Sequence, residues 1–251
     1  MLREDTVFGP IHSRRLGNSL GINLLPREGK LCNFDCIYCE CGWNREGTGD
    51  KRIPSASEVR SALEDKLQEC LLAGTPIDSI TFSGDGEPTL NPEFPRIIRD
   101  TISLRDAFYP DDKVSVLSNA TRLDRAEVVE ALKLADNPIM KLDAPTDALA
   151  ARINQPAGSY SVAAVVAGME KFGGNFVLQT MFLRSADFDS SAPEVLLPWM
   201  DIVRRLHPRE VMVYTIDRPT PAAGLQKFSE AEMRALVQPL LDEGFTIQIK
   251  G

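Results

Sequence analysis

The chain has 251 residues and a formal charge of −8 at pH 7, with an isoelectric point near 5.0. That length supports one large α/β domain or two small ones, with a core that needs no staples. The acidic balance argues against a general pull towards nucleic acid, DNA included, or an anionic membrane, and leaves room for a local basic patch. Five cysteines, three of them clustered, fit a reducing cytoplasm better than a disulfide framework. Met1 opens into Leu2, Arg3, Glu4 and Asp5, so no signal peptide is expected. No apolar run approaches the ~18 residues that span a bilayer. There is no low-complexity segment and no solenoid-type repeat.

Residues 1–18 read as an irregular N-terminal lead-in, Phe8-Gly-Pro-Ile-His-Ser-Arg-Arg-Leu-Gly17, with no sustained period. Residues 19–251 read as one core domain. Arg14 and Arg15 could grip a phosphate or carboxylate, or clamp the lead-in to the core, and the clamp is the reading we favour. Ser19 to Pro26 looks like a short strand ending at a proline. Cys32, Cys36 and Cys39 follow it with the spacing C-x3-C-x2-C. Three thiols this close cannot all pair as disulfides, but they can surround one metal centre. A structural zinc site usually takes four ligands and a cubane iron–sulfur cluster has four irons. Three ligands therefore suggest an open coordination position, where metal chemistry can happen. The alternatives are a structural zinc site completed by Cys41 or a histidine, a complete four-cysteine cluster through Cys41, or a set of free buried cysteines, which would pack poorly in such a loop.

Residues 40–54 are loop, rich in Gly, Asn and Pro. Ser55 and Glu58 form a capping box that opens a helix to about Ala73, stopped by Gly74. Val59, Leu63, Leu67, Cys70 and Leu71 make its apolar stripe, which places Cys70 in the core. Strand and helix then alternate. Predicted strands cover 78–83, 113–119, 138–143, 175–182, 210–216 and 245–249. Predicted helices cover 94–108, 125–135, 161–172, 192–206 and 229–243. This order means βαβ units, a parallel sheet and right-handed crossovers. It predicts an α/β fold: a partial (β/α)6 TIM-type barrel of parallel strands with outer helices. An open doubly wound sheet would want a Gly-rich phosphate turn after the first strand, where this chain has cysteines. Neither His12 nor His207 reads as a ligand; His207 ends a helix, where a cation suits the dipole.

In parallel barrels chemistry collects where strands end. After the strand at 78–83 comes Ser83-Gly84-Asp85-Gly86-Glu87-Pro88-Thr89, whose small residues allow close backbone approach. The next strand ends at Ser118-Asn-Ala-Thr121, where the asparagine can also simply form a turn. Lys141 and Asp143 share one strand face and are costly to bury unless they pair or meet a ligand. Gln179 is an amide among apolar neighbours and needs partners. Tyr214-Thr-Ile216 ends a later strand. Asp217 and Arg218 follow, facing a substrate or forming a surface ion pair.

The cysteine loop, with aromatic Tyr38 before its last cysteine, resembles that of the radical S-adenosylmethionine (radical SAM) superfamily. The string Gly-Pro-Ile-His-Ser-Arg-Arg-Leu-Gly, then Ser-Leu-Gly-Ile-Asn-Leu-Leu-Pro, then the cysteines, looks like a small single-domain branch related to the wyosine-forming tRNA enzymes. The wyosine enzymes carry extra parts, and here Cys41 and Cys70 are too few for a second cluster. The resemblance implies a [4Fe–4S] cluster on Cys32, Cys36 and Cys39, and S-adenosylmethionine on its fourth iron. It implies reductive cleavage to a 5′-deoxyadenosyl radical, which takes hydrogen from a substrate. A reducing partner such as flavodoxin or ferredoxin would be needed, and the substrate could be a peptide, protein or RNA. Tyr38 would lie beside the adenine. Gly86-Glu87-Pro88 would match the end of the family's Gly-Gly-Glu(-Pro) turn, leaving open whether Gly84 or Asp85 makes the first contact. Ser118, Asn119, Gln179, and the backbone at Tyr214 and Ile216 would complete the cofactor contacts. Lys141, Asp143, Asp217 and Arg218 are the catalytic candidates. The competing class is an iron–sulfur or zinc protein, structural or electron-carrying, with no chemistry on S-adenosylmethionine.

Overall fold

A computed structural model of the chain describes residues 5–13, 15–46 and 51–251. Arg14 lies outside the described residues. The strands are β1 (Val7–Ser13), β2 (Gly17–Ile22), β3 (Ser79–Phe82), β4 (Lys113–Ser118), β5 (Asn137–Lys141), β6 (Val177–Met181), β7 (Leu183–Arg184), β8 (Glu210–Tyr214), β9 (Gln226–Lys227) and β10 (Ile247–Lys250). The helices are α1 (Ala56–Leu72), α2 (Phe94–Phe108), α3 (Ala126–Lys133), α4 (Asp147–Ile153), α5 (Val162–Glu170), α6 (Pro193–Leu206) and α7 (Glu230–Asp242). One sheet has the order β1-β2-β3-β4-β5-β6-β8-β10, and β7 and β9 form a small ribbon. The pairs β2–β3, β3–β4, β5–β6, β6–β8 and β8–β10 are parallel. Neighbours in chain order, with helices as the crossovers, are the partial barrel class that the alternation predicts. No helix among the described residues is long and apolar enough to cross a membrane.

The lead-in is not irregular throughout. Its residues 7–13 form β1, antiparallel to β2. The register shifts between Phe8 and Ile11, which erased the period-two pattern in the sequence. Phe8 packs where Gly21 has no side chain: a Cβ at Gly21 would sit 2.2 Å from the Phe8 ring. The short helix α4 was also unforeseen, as was the two-residue ribbon.

The chain divides into two compact units, the first comprising residues up to 32, 44–118 and 125–138, the second 33–43, 119–124 and 139–251. In the first, Ser55 and Glu58 cap α1 reciprocally, as expected, and α1 buries Val59, Leu63, Leu67 and Cys70. Leu71 is exposed instead, because it lies one residue off the stripe that Cys70 continues. Phe82 meets Phe94 of α2 edge-on at 5.9 Å, so Leu20, Ile22, Ile80, Phe82, Val114 and Val116 form the face under the helices. Each such side chain contributes about 1.5–3 kcal/mol when fully buried. The opposite face carries a hydroxyl ladder. Ser19 donates to Thr81 at 2.7 Å, Ser79 bonds Thr81 at 3.1 Å and Ser115 at 2.9 Å, and Asn137 donates to Ser115 at 3.0 Å. At the strand starts Arg105 pairs with Asp136 at 2.7 Å, and Asp136 accepts from the Val114 amide at 2.8 Å.

In the second unit Phe182 packs edge-on against Trp199 of α6 at 5.4 Å and against Phe228 at 6.2 Å. The Trp199 indole donates to Thr180 at 3.1 Å, so the tryptophan is buried with its polar atom satisfied. Thr180 and Phe182 therefore mark the helix-covered face. The other face aligns Lys141 with Gln179, and Gln179 with Met212. His207 closes α6 in the left-handed region at φ 44° and meets Phe245 at 4.9 Å.

Candidate functional site

The site begins with what holds the cysteine loop. In the first unit the approach to the loop is pinned by the turn after β3. Leu31 donates its amide to the Asp85 carbonyl at 2.9 Å and accepts from the Glu87 amide at 3.1 Å. Gly84 and Gly86 are glycines because this contact is so close. A Cβ at Gly84 would fall 2.0 Å from the Asn23 side-chain oxygen, and one at Gly86 1.8 Å from the Leu31 carbonyl oxygen. Gly86 also holds φ at 142°, which a side chain would strain. The expected close approach is therefore made to the chain itself.

The acidic residues of this turn are committed internally. Asp85, 1% exposed, accepts from the Asn23 amide nitrogen at 3.2 Å, and its backbone amide donates to the Asn23 oxygen at 3.1 Å. Glu87 accepts from the Thr89 amide at 3.1 Å and from the Ser118 hydroxyl at 2.9 Å, capping the 3-10 turn that starts at Pro88. Asp85, Glu87 and Ser118 thus shape the turn with their side chains.

The second unit holds the cysteine loop by the end of α4. Thr146 caps α4 by accepting from Leu149. At the other end, Asp35 donates to the carbonyls of Asn154 at 2.9 Å and Gln155 at 3.2 Å, and Ile37 donates to Ile153 at 3.0 Å. The loop amides satisfy carbonyls that a helix terminus leaves without partners. Ala157 returns a bond to the Asn33 carbonyl at 2.8 Å, and Phe34 meets Tyr160 edge-on at 5.2 Å. Asn33 also anchors the turn after β4: Asn119 donates to its side-chain oxygen at 2.7 Å, and its amide donates to Thr121. Thr121 lies in the strand-end stretch marked in the sequence, whereas the roles of Asn33 and Asn154 had not been singled out. Asn154-Gln155-Pro156 behind a Thr-capped apolar stretch was the available signal.

Above this loop sits a charged cluster. Asp143, 4% exposed, accepts from the Met181 amide at 2.8 Å, from the Asn154 amide nitrogen at 2.7 Å and from the Tyr38 hydroxyl. Lys141 lies 3.9 Å from the same carboxylate and bonds the Tyr214 hydroxyl. Its ammonium stands 4.9 Å from the Tyr38 ring centre and 5.1 Å from that of Tyr214. Of the two ways expected to offset their burial, a mutual pair or a ligand, the Lys141–Asp143 pair is present. Burial works against the Lys141 charge, but Asp143 overrides it and its pKa moves upward. Burial, reinforced by Asp143, also raises Tyr38 well above its ordinary value. Both groups keep their protons at neutral pH. Gln179, 4% exposed and beside Lys141 on this face, has an amide nitrogen with no partner among the described residues.

Past β8 the strand stops at Tyr214, so Ile216 lies in the loop, and Asp217 and Arg218 are exposed. Arg218 pairs with Glu40 at 2.8 Å, a surface pair worth about 0.2–1 kcal/mol. The Ala222 amide donates to the Ile37 carbonyl at 3.2 Å, tying the same segment to the cysteine loop. Arg15 is half-buried.

The five cysteines carry no disulfide. Cys36 is buried, and Cys32, Cys39 and Cys41 are half-buried. Burial pushes the Cys36 thiol up to about 11, against the pull of Lys141 and the Asn154 amide. Metal binding there must therefore release a proton. Among the described residues no three His, Cys, Asp or Glu side chains converge as a metal site. The donor chemistry nevertheless fits a thiolate-bound iron–sulfur group: three thiols in one backbone-pinned loop, without competing disulfides. The unpartnered Gln179 amide fits a polar ligand on the face it shares with Lys141, since leaving it bare costs about 1–3 kcal/mol.

Comparison with known proteins agrees with the fold. A UPF0026 protein of Synechocystis sp. is 31% identical over 250 residues, covering 97% of this chain and 86% of that protein. A Brachyspira hyodysenteriae protein named GTPase Obg is 32% identical over 236 residues, covering 92% of this chain. The chain spans only 33% of that relative's length. A radical SAM methyltransferase from Sphaerobacter thermophilus shares the fold at TM-score 0.68 and 17% identity, over 92% of this chain and 65% of that one. Streptococcus suis SuiB bound to S-adenosylmethionine does so at TM-score 0.65 and 15% identity, over 89% and 49%. TYW1 with a lysine-pyruvate adduct does so at 0.63 and 13%, over 90% and 74%. The family model described as the radical SAM superfamily matches residues 29–183, from just before the cysteine loop to the start of β7. The chain belongs to the radical SAM superfamily.

Proposed function

We propose that this chain is a radical SAM enzyme in which Cys32, Cys36 and Cys39 hold a [4Fe–4S] cluster with one iron left for S-adenosylmethionine. The observation that carries the reading is the C-x3-C-x2-C loop, pinned at both sides and lying within the matched segment. When bound, such a cluster supplies the electron that splits S-adenosylmethionine into methionine and a 5′-deoxyadenosyl radical, which abstracts hydrogen from the substrate. The chain's own residues supply the setting. Gln179 offers an amide N–H to the polar part of the nucleoside. Tyr38 and Tyr214 flank the Lys141 ammonium and keep it oriented. Asp143 holds that ammonium charged, so Lys141 serves as a fixed cation and hydrogen-bond donor rather than a base. Flavodoxin or ferredoxin is the proposed electron donor. A peptide, protein or RNA segment is the proposed substrate class.

Anaerobic reconstitution with iron and sulfide, dithionite reduction and chromatographic detection of 5′-deoxyadenosine test this. Wild type is expected to form the product, and Cys36→Ala to lose both iron and product. Cys41→Ala is expected to keep its iron. Equal iron loss from both variants would overturn the open-site reading in favour of a closed four-cysteine centre.

A further inference from the structure

Asn154 occupies an unusual position between the cysteine loop and the charged cluster. It is the C-cap of α4, with its backbone amide bonded to the Ala150 carbonyl at 2.8 Å. Gln155 follows at φ 45° and Pro156 prevents the helix from continuing. That sharp stop fixes both ends of the asparagine. Its carbonyl receives the Asp35 amide at 2.9 Å, one residue before Cys36. Its side-chain nitrogen lies 2.7 Å from Asp143, 3.2 Å from the Tyr38 hydroxyl oxygen and 3.4 Å from the Cys36 sulfur. The residue is 2% exposed, so water does not compete for these bonds.

An amide nitrogen has two hydrogens. The Asp143 carboxylate, closest and charged, takes one. The second has a choice between a neutral phenol oxygen and the sulfur. Tyr38 gives its own hydrogen to Asp143 and needs nothing more. A ligated Cys36 is a thiolate, and an anionic acceptor outcompetes a neutral one. Nearby asparagine amides also bond oxygen: Asn33 donates to Thr121, Asn44 to the Cys32 carbonyl, and Asn119 to Asn33.

We infer that Asn154 is a positioning residue that donates an N–H···S hydrogen bond to the Cys36 sulfur and thereby raises the reduction potential of the centre that Cys36 ligates. The inference rests on the cluster reading above. Its physical basis is that reduction adds negative charge, part of which resides on the cysteine sulfurs. A donor aimed at one of those sulfurs stabilises the reduced form more than the oxidised form. The same bond ties the sulfur through Asn154 to Asp143, so the cysteine loop and the end of β5 keep a fixed relation.

The test is a redox titration, followed by electron paramagnetic resonance, of the anaerobically reconstituted full chain. One electron per centre is supplied by dithionite. Asn154→Leu, close in volume and without N–H donors, is expected to retain wild-type iron and sulfide content with a midpoint shifted to more negative potential. Asn154→Gln, which keeps the amide, is expected to fall between the two. A midpoint for Asn154→Leu equal to wild type, with the centre intact, overturns the inference and leaves the cluster reading standing. Wild type that takes up no iron overturns the cluster reading, and this inference with it. If Asn154→Leu does not fold, the wild-type protein decides alone. With asparagine labelled by 15N in the side chain, the reduced centre is expected to show a 15N hyperfine coupling, and its absence overturns the inference.

Discussion

The two units present similar strands but treat the helix-free face of those strands in opposite ways. In the first, the face carries Ser19, Ser79, Thr81, Ser115 and Asn137, neutral groups that bond one another in a continuous ladder. Its charged pair, Arg105–Asp136, stands at the strand starts. In the second, the same face carries Lys141, Asp143, Gln179 and Tyr214, with charge at the strand ends and one amide nitrogen unsatisfied. A closed neutral network only stabilises a fold. A charged network with an open donor stores the capacity to bind, because a ligand can complete it. The contrast sets a face whose hydrogen bonds close on themselves against one that leaves the Gln179 amide nitrogen open.

The largest effect should follow from breaking the charged network. Asp143→Ala removes the acceptor for the Met181 amide, Asn154 and Tyr38, and leaves the Lys141 ammonium without its carboxylate. A loss of about 3–5 kcal/mol is expected, the usual cost of stripping one partner from a buried pair. Urea unfolding at unchanged m-value measures it. Adding Lys141→Met to the variant should recover part of that loss, since the orphaned charge is gone. A loss under about 1 kcal/mol would mean that water reaches Asp143 and that the network is not closed.

The open donor predicts an effect of the other sign. Gln179→Leu removes a buried N–H that has no partner, so the ligand-free protein should gain about 1 kcal/mol, seen as a higher melting temperature. The same change should weaken S-adenosylmethionine binding to the reconstituted protein by roughly 2- to 10-fold in anaerobic calorimetry, the worth of one hydrogen bond between neutral groups. Stability gained while binding is lost marks a functional position. A variant that is destabilised and binds normally would assign Gln179 to structure instead.

Much of this could be read from the chain because the signals were local. The α1 capping box, the stripe through Cys70 and the Lys141–Asp143 face all follow from spacing. What escaped was non-local or too short. The period of β1 is hidden by a register shift, and α4 has only two turns. Gly84 and Gly86 were marked for close approach to a ligand, and a Cβ at either would strike the chain itself. Which partner they approach, Asn23 and Leu31, depends on pairing across some fifty residues or more. The roles of Asp85 and Glu87 are hidden for the same reason: a buried carboxylate in a turn looks alike in sequence whether it meets a ligand or Asn23.

The smallest effect belongs to the neutral ladder. Ser79→Ala removes a hydroxyl that bonds both Thr81 and Ser115. Those partners keep other bonds, Thr81 with Ser19 and Ser115 with Asn137. A hydroxyl can turn to use either lone pair or its hydrogen, so the ladder can re-form around the gap. The cost should stay within about 0.5–1.5 kcal/mol, with S-adenosylmethionine binding unchanged. If the variant instead weakened binding as Gln179→Leu does, the ladder would have to be counted as part of the ligand's surroundings, and satisfied hydrogen bonds would no longer separate structure from chemistry in this fold.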